Sequence, residues 1–70
     1  MDLVKLIEAF GLKYLREDTN KPGGDYAYFL SGQNNPKYLL ANCIKVLNYL
    51  GFPSREIIGN TNGIVLEVTI

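Results

Sequence analysis

Apolar side chains recur at helical spacing in the middle of the chain, between Asn35 and Gly51. Asn35 is a favoured N-cap residue, and Pro36 suits the first helical position because no N–H is needed there. Gly51 suits the left-handed residue that follows a helix. The apolar stripe between them consists of Leu39, Leu40, Cys43, Val46, Leu47 and Leu50, with Ile44 on its flank. This pattern predicts one helix from Pro36 to Leu50.

A shorter amphipathic pattern begins at Asp2, a residue type that caps helices, and carries apolar residues through Phe10. A shift of forty residues aligns residues 4–12 with residues 44–52, and lysine and glycine then coincide. Since Gly51 is predicted to end a helix, Gly11 is predicted to do the same. Two explanations stay open, an internal duplication of an α-β-β unit and the chance likeness of two amphipathic helices.

Four further segments are predicted to be strands, namely residues 12–17, 25–31, 54–58 and 64–70. The first pair is separated by residues 19–24, which are rich in turn-forming residues, and the second by the hairpin signal Asn62-Gly63. In the last segment alternate residues share a face, and the apolar face is predicted to be core. That core set is Ile64, Leu66, Val68 and Ile70, with Glu67 and Thr69 on the other face.

These elements predict an α+β domain over residues 1–70, in the order α-β-β-α-β-β. Two helices on one face of a four-stranded, largely antiparallel sheet is the simplest way to bury both helical stripes. The other face of the sheet is then open to solvent. We expect part of the set Tyr14, Tyr26, Tyr28 and Val65 to lie there, the phase of each strand deciding which.

Composition argues against nucleic-acid-binding, membrane-spanning and secreted proteins. The chain has 70 residues, with seven basic and seven acidic side chains, so it has no net charge to attract nucleic acid or an anionic membrane. No apolar run reaches the roughly 20 residues of a membrane span. Cys43 is the one cysteine and is expected to be a buried core residue. Without a disulfide or a secretory signal pattern, we expect a soluble cytoplasmic protein.

Candidate chemistry is sparse. The chain has no histidine, which removes the usual general base and metal ligand. The carboxylates show no spacing that forces two of them into a cleft, apart from the adjacent pair Glu17-Asp18. We therefore predict no catalytic residues, no metal, no cofactor and no enzymatic activity.

Two loops resemble ligand sites. Residues 18–25 resemble the start of a calcium loop, but Pro22 and Phe29 occupy positions where oxygen ligands belong, so turn formation is the better interpretation. Residues 31–37 lead into a helix N-terminus, which can hold an anion. They lack the glycine spacing of nucleotide loops, and a capped connection is the better interpretation.

Residues 3–11, which end a helix before a hairpin, resemble the LAGLIDADG motif of homing endonucleases, whose core has the same element order. In that family the acid before the final glycine binds the catalytic metal, and here that position is Phe10. The small glycine that permits close helix packing is replaced by Lys5. The resemblance therefore implies at most a degenerate, non-cleaving relative.

The leading hypothesis is a small non-enzymatic module that docks on another protein, or on a second copy as a homodimer, through a sheet face or edge. Five tyrosines in this short chain favour it, because tyrosine is enriched in interfaces, although they could equally cover a thin core. The predicted contact residues are Tyr14, Tyr26, Tyr28, Arg16 and Arg55. The alternative is nucleic-acid binding, with Tyr14, Tyr26 and Tyr28 stacking on bases and Lys13, Arg16, Lys21 and Arg55 on phosphates. A small-ligand site is disfavoured by the small core.

Overall fold

The computed structural model describes residues 2–57 and 63–70. Within them the chain forms two helices and four strands, and the predicted α+β class and element order are confirmed. The elements are α1 Leu3–Glu8, β1 Leu12–Asp18, β2 Tyr26–Gly32, α2 Lys37–Tyr49, β3 Ser54–Ile57 and β4 Gly63–Thr69. The predicted turn before Gly63 and the predicted strand residue Ile58 lie outside the described residues.

The strands form one antiparallel sheet in the order β1-β2-β4-β3. The two central strands pair with Phe29 opposite Leu66, and the edges are β1 and β3. Each α-β-β half of the chain thus contributes one central and one edge strand. This palindromic order agrees with an internal duplication but does not require one, so the duplication stays a prediction.

Both helices lie on one face of the sheet and bury it. Ile7 of α1 and Cys43 of α2 are fully buried, and Cys43 has its predicted place in the core. The other core residues are Leu12, Ala27, Phe29, Leu40, Leu47, Leu66 and Val68. The core prediction for Ile70 is wrong, because this residue follows the end of β4 and is exposed.

α1 ends at Glu8, earlier than predicted, and a short turn leads from it to Gly11, which has φ +86°. α2 ends as predicted, with Leu50 as its C-cap followed by Gly51 at φ +90°. At the second end the Phe52 N–H donates to the Leu47 carbonyl at 2.8 Å, the long bond of a Schellman motif. Asp2 caps the start of α1, as predicted. Positive φ is easy only for glycine, which explains why the same residue type lies in the turn after each helix.

The start of α2 differs from the prediction. Pro36, with ψ 134°, is the N-cap, the helix begins at Lys37, and no side chain caps it. The Asn35 amide instead donates to the Phe10 carbonyl at 3.2 Å and to Ser31 Oγ at 3.1 Å. The N-cap prediction for Asn35 is wrong because its side chain joins the end of α1 to β2.

A bulge in β1 changes the face on which its residues lie. The pairing of β1 with β2 shifts between Tyr14 and Arg16. Tyr14 lies opposite Phe29 on the helix-covered face, with the ring centroids 5.6 Å apart in an edge-on contact. Arg16 lies opposite Tyr28 on the other face, which we call the helix-free face.

Candidate functional site

Four side chains lie next to one another across the helix-free face, one from each strand. Arg16 of β1 is opposite Tyr28 of β2, which is opposite Glu67 of β4, which is opposite Arg55 of β3. Directly opposite residues point to the same side of a sheet, so these four form a continuous line. We call them the cross-strand row. Lys21, from the loop between β1 and β2, lies over its centre.

The centre of the cross-strand row is a closed hydrogen-bonded network. The Tyr28 hydroxyl donates to Glu67 Oε2 at 3.0 Å, and Arg55 Nε donates to Glu67 Oε1 at 2.9 Å. Lys21 Nζ donates to the Tyr28 hydroxyl and lies 3.6 Å from Glu67 Oε2. Tyr28 is only 2% exposed and Glu67 only 8%. A tyrosine and a carboxylate are thus buried on a face that neither helix covers.

Long cationic side chains produce this burial. The guanidinium carbon of Arg16 lies 4.2 Å from the centroid of the Tyr28 ring, and Lys21 Nζ lies 4.9 Å from it. Lys21 Nζ is also 5.4 Å from the Tyr26 ring. A cation over an aromatic ring is attracted to it, while its aliphatic stem excludes water. Arg16 and Lys21 therefore shield Tyr28 from water, as the two helices shield the opposite face of the sheet.

The network keeps its charged groups charged. Burial by itself would raise the pKa of Glu67, but the hydrogen bonds from Arg55 and Tyr28 and the nearby positive charges outweigh it and lower that pKa. The hydrogen bond to Tyr28 raises the pKa of Lys21, against a smaller effect of desolvation. The site therefore presents fixed charges at neutral pH.

The helix-free face is positively charged although the chain is neutral. Register and contacts place four cationic side chains on it, Lys13, Arg16, Lys21 and Arg55, against two acids, Asp18 and Glu67. Glu67 is enclosed by its partners, and Asp18 is 3.9 Å from Arg16. The face therefore has an excess of two positive charges, and the rest of the chain has the matching negative excess.

Two further features flank the cross-strand row. On one side Leu30, Val65 and Ile57 are paired neighbours on β2, β4 and β3, and we call them the apolar row. All three are half-buried. On the other side is an open groove of about 390 Å³, lined by Tyr26, Pro53, Ser54, Arg55, Glu67 and Thr69. The cross-strand row thus lies between an apolar row and a groove.

The structure brings together four of the five residues predicted as contacts, since Arg16, Tyr26, Tyr28 and Arg55 share the helix-free face. Tyr14 does not join them, because the bulge leaves it on the helix-covered face. The prediction missed Glu67, which organises the row. The sequence did contain a sign of this role. Glu67 is a single carboxylate on the outward side of an apolar strand, and the predicted hairpin of the last two strands brings Arg55 opposite it.

Other candidate groups are structural in character. Burial raises the pKa of the Cys43 thiol to about 11, which leaves it protonated and unreactive at neutral pH. In the loop after β1 the Asp18 carboxylate accepts the Asn20 N–H at 3.0 Å, as turn chemistry predicts. Among residues 2–57 and 63–70, no group of three or more cysteine or carboxylate side chains is placed to hold a metal ion.

No protein-family model, curated protein sequence or solved structure matches the chain. The resemblance to homing endonucleases thus depends on residues 3–11 and the element order alone. Neither of the two described helices is long and apolar enough to cross a membrane.

Proposed function

We propose that this protein is a small interaction module, without catalytic activity of its own, that docks on another protein through the helix-free face. The observation that carries the proposal is the cross-strand row. Arg16 and Arg55 keep their outer ends exposed while Tyr28 and Glu67 fix their positions from below. Cations that are already ordered lose less conformational entropy when a partner binds.

The geometry favours the face of the sheet over its edges. Edge strands attract a partner strand when they are long and regular. Here the bulge at Leu15 interrupts β1, and within the described part of the chain β3 spans four residues, Ser54–Ile57. Neither edge, as far as it is described, therefore offers a long uninterrupted ladder for strand addition.

The same geometry favours a protein partner over nucleic acid. Base stacking needs exposed aromatic rings. Tyr28 is buried beneath Arg16 and Lys21, and Tyr14 lies on the opposite face. Of the three tyrosines considered for stacking, Tyr26 alone is partly exposed on this face.

The partner in this proposal is another protein or a second copy of the chain, in the cytoplasm, where the free Cys43 thiol stays reduced. The absence of catalysis is supported by the character of the titratable groups. The hydrogen bonds from Arg55 and Tyr28 lower the pKa of Glu67, the hydrogen bond to Tyr28 raises the pKa of Lys21, and burial keeps the Cys43 thiol protonated.

Site-specific photo-crosslinking tests the proposal. The photoreactive residue p-benzoylphenylalanine replaces Leu30 on the helix-free face or, as a matched control, Tyr49 on α2, which is 89% exposed. In cells that make the protein, we expect a crosslinked protein product from position 30 and not from position 49. A product of two copies identifies a homodimer, and light scattering of the purified protein checks it. Equal products from both positions, or none from position 30, would contradict docking through this face.

A further inference from the structure

We infer that the partner segment has carboxylates along one edge and apolar side chains along the other, and that it crosses the strands of the helix-free face. This inference rests on the proposed function and names the chemistry of the partner. It is drawn from the charges of the cross-strand row and from the apolar row beside it.

The two rows run in parallel across the sheet. Strands lie about 4.8 Å apart, so Arg16 on β1 and Arg55 on β3 are separated by roughly 14 Å. Leu30 and Val65 are two residues from Tyr28 and Glu67 along their strands, so the rows are about 7 Å apart. That distance matches the two edges of one peptide segment or one helix lying on the face.

Arg55 provides the first carboxylate position. Its side chain is 72% exposed, and of its nitrogens only Nε donates a hydrogen bond to Glu67. The two terminal nitrogens of the guanidinium have no hydrogen-bond partner among the described residues. A planar pair of N–H donors with a fixed base is the geometry that binds a carboxylate through both oxygens.

Arg16 provides the second carboxylate position. Its guanidinium carbon lies 4.2 Å from the centroid of the Tyr28 ring, and its side chain is 61% exposed. Its acidic neighbour Asp18 is 3.9 Å away, too far for a hydrogen bond. The acids on this face therefore leave the Arg16 guanidinium and the two terminal nitrogens of Arg55 without a hydrogen bond among the described residues.

The charge excess on the face selects an acidic partner over a neutral or basic one. Opposite charge speeds encounter and disfavours wrong partners. The apolar row of Leu30, Val65 and Ile57 adds a contact that excludes water, which charges alone do not supply. The positive charge and the apolar row together call for a partner segment that carries both carboxylates and apolar side chains.

Fluorescence anisotropy with labelled probes tests this inference on the full chain at low salt. The probe is a twelve-residue peptide of alternating Glu and Leu. Its controls are a Glu/Ser peptide, a Lys/Leu peptide and an oligothymidylate of twelve nucleotides. We expect the Glu/Leu peptide to bind tightest. Arg16→Gln and Arg55→Gln should each weaken it about tenfold, as loss of a charge-assisted contact does. Lys45→Gln on the exposed side of α2 should leave it unchanged.

Arg16→Gln is the more decisive variant, because Arg16 makes no hydrogen bond or ion pair with Glu67 and its replacement removes no bond of the network. Unchanged binding in both arginine variants would overturn the inference, as would equal binding of the Lys/Leu peptide. Tighter binding of the oligothymidylate, lost in the same variants, would replace it with nucleic-acid recognition. If no probe binds but crosslinking stays confined to position 30, the inference fails and the proposed function stands. If crosslinking fails as well, both fail.

Discussion

Removal of one hydroxyl group tests the network at the centre of the cross-strand row. In Tyr28→Phe the ring stays beneath Arg16, while the donor to Glu67 Oε2 and the acceptor for Lys21 Nζ are both lost. Glu67 keeps its hydrogen bond from Arg55 on the other oxygen and its ion pair with Lys21 at 3.6 Å, so the carboxylate loses one partner and retains two. The substitution therefore changes the hydrogen bonding of a buried anion with little change in shape.

The expected loss follows from the type of bond. A hydrogen bond to a charged group contributes about 1.5–3 kcal/mol, and the remaining partners of Glu67 place the loss near the lower part of that range, about 2 kcal/mol. A chain of this length has a total unfolding free energy on the order of 4–10 kcal/mol, so the variant stays folded. The corresponding fall in Tm is roughly 10 °C.

Urea unfolding at pH 7 measures the loss, with Tyr38→Phe as the matched control. Tyr38 is mostly exposed on α2, and its hydroxyl has no hydrogen-bond partner among the described residues, so a change within about 0.5 kcal/mol is expected. A loss below 0.5 kcal/mol in Tyr28→Phe, or an equal loss in both variants, would refute the assignment of the network as a stabilising element.

The difference in unfolding free energy between the wild type and Tyr28→Phe should depend on pH. The pKa of Glu67 is lower in the folded chain than in the unfolded chain, so its stabilisation is present above the unfolded value and is lost as pH falls through the folded value. Tyr28→Phe removes one of the bonds that lower this pKa. The difference in unfolding free energy between wild type and variant should therefore be greatest at pH 7 and decrease below about pH 4. A difference that is constant from pH 7 to pH 3 would show that Glu67 is not involved.

Three further predictions concern the scaffold. Gly11→Ala and Gly51→Ala both force alanine into positive φ, at about 1 kcal/mol each, but only the Gly11 variant also meets the Asn35 side chain, so urea unfolding should show the larger loss there. Equal losses would argue against the Asn35 link. The Cys43 thiol should react with Ellman's reagent at pH 8 only as fast as the chain unfolds, with acceleration by urea; the rate of a free thiol in the native protein would contradict its burial. Leu47→Ala should cost about 2–5 kcal/mol of unfolding free energy, and a loss under 1 kcal/mol would show that Leu47 is not a core residue.

Local sequence patterns predicted the scaffold because its determinants are local. Periodicity located both helices, and Gly11 and Gly51 lie in the turns after them for the same backbone reason. Alternation placed Leu66 in the core and Glu67 on the other face. Each of these properties depends on residues a few positions apart.

The features that were missed depend on residues distant in sequence. The bulge at Leu15 reverses the face of Arg16 relative to Tyr14, and alternation alone cannot show it. Asn35 has the ideal residue type for a cap but finds partners on α1 and β2 instead. Glu67 became recognisable only when the fold placed Tyr28 beside it.

The palindromic strand order has a consequence for the timing of assembly. Arg16, Lys21 and Tyr28 come from the first half of the chain, and Arg55 and Glu67 come from the second. Among the described strands, the two halves pair with each other through β2 and β4. A first half folded alone would present Arg16 beside Asp18 but would lack Glu67, which accepts the Tyr28 hydroxyl, and Arg55. The complete cross-strand row therefore needs both halves, so a partner that bound it would distinguish a complete chain from an incomplete one.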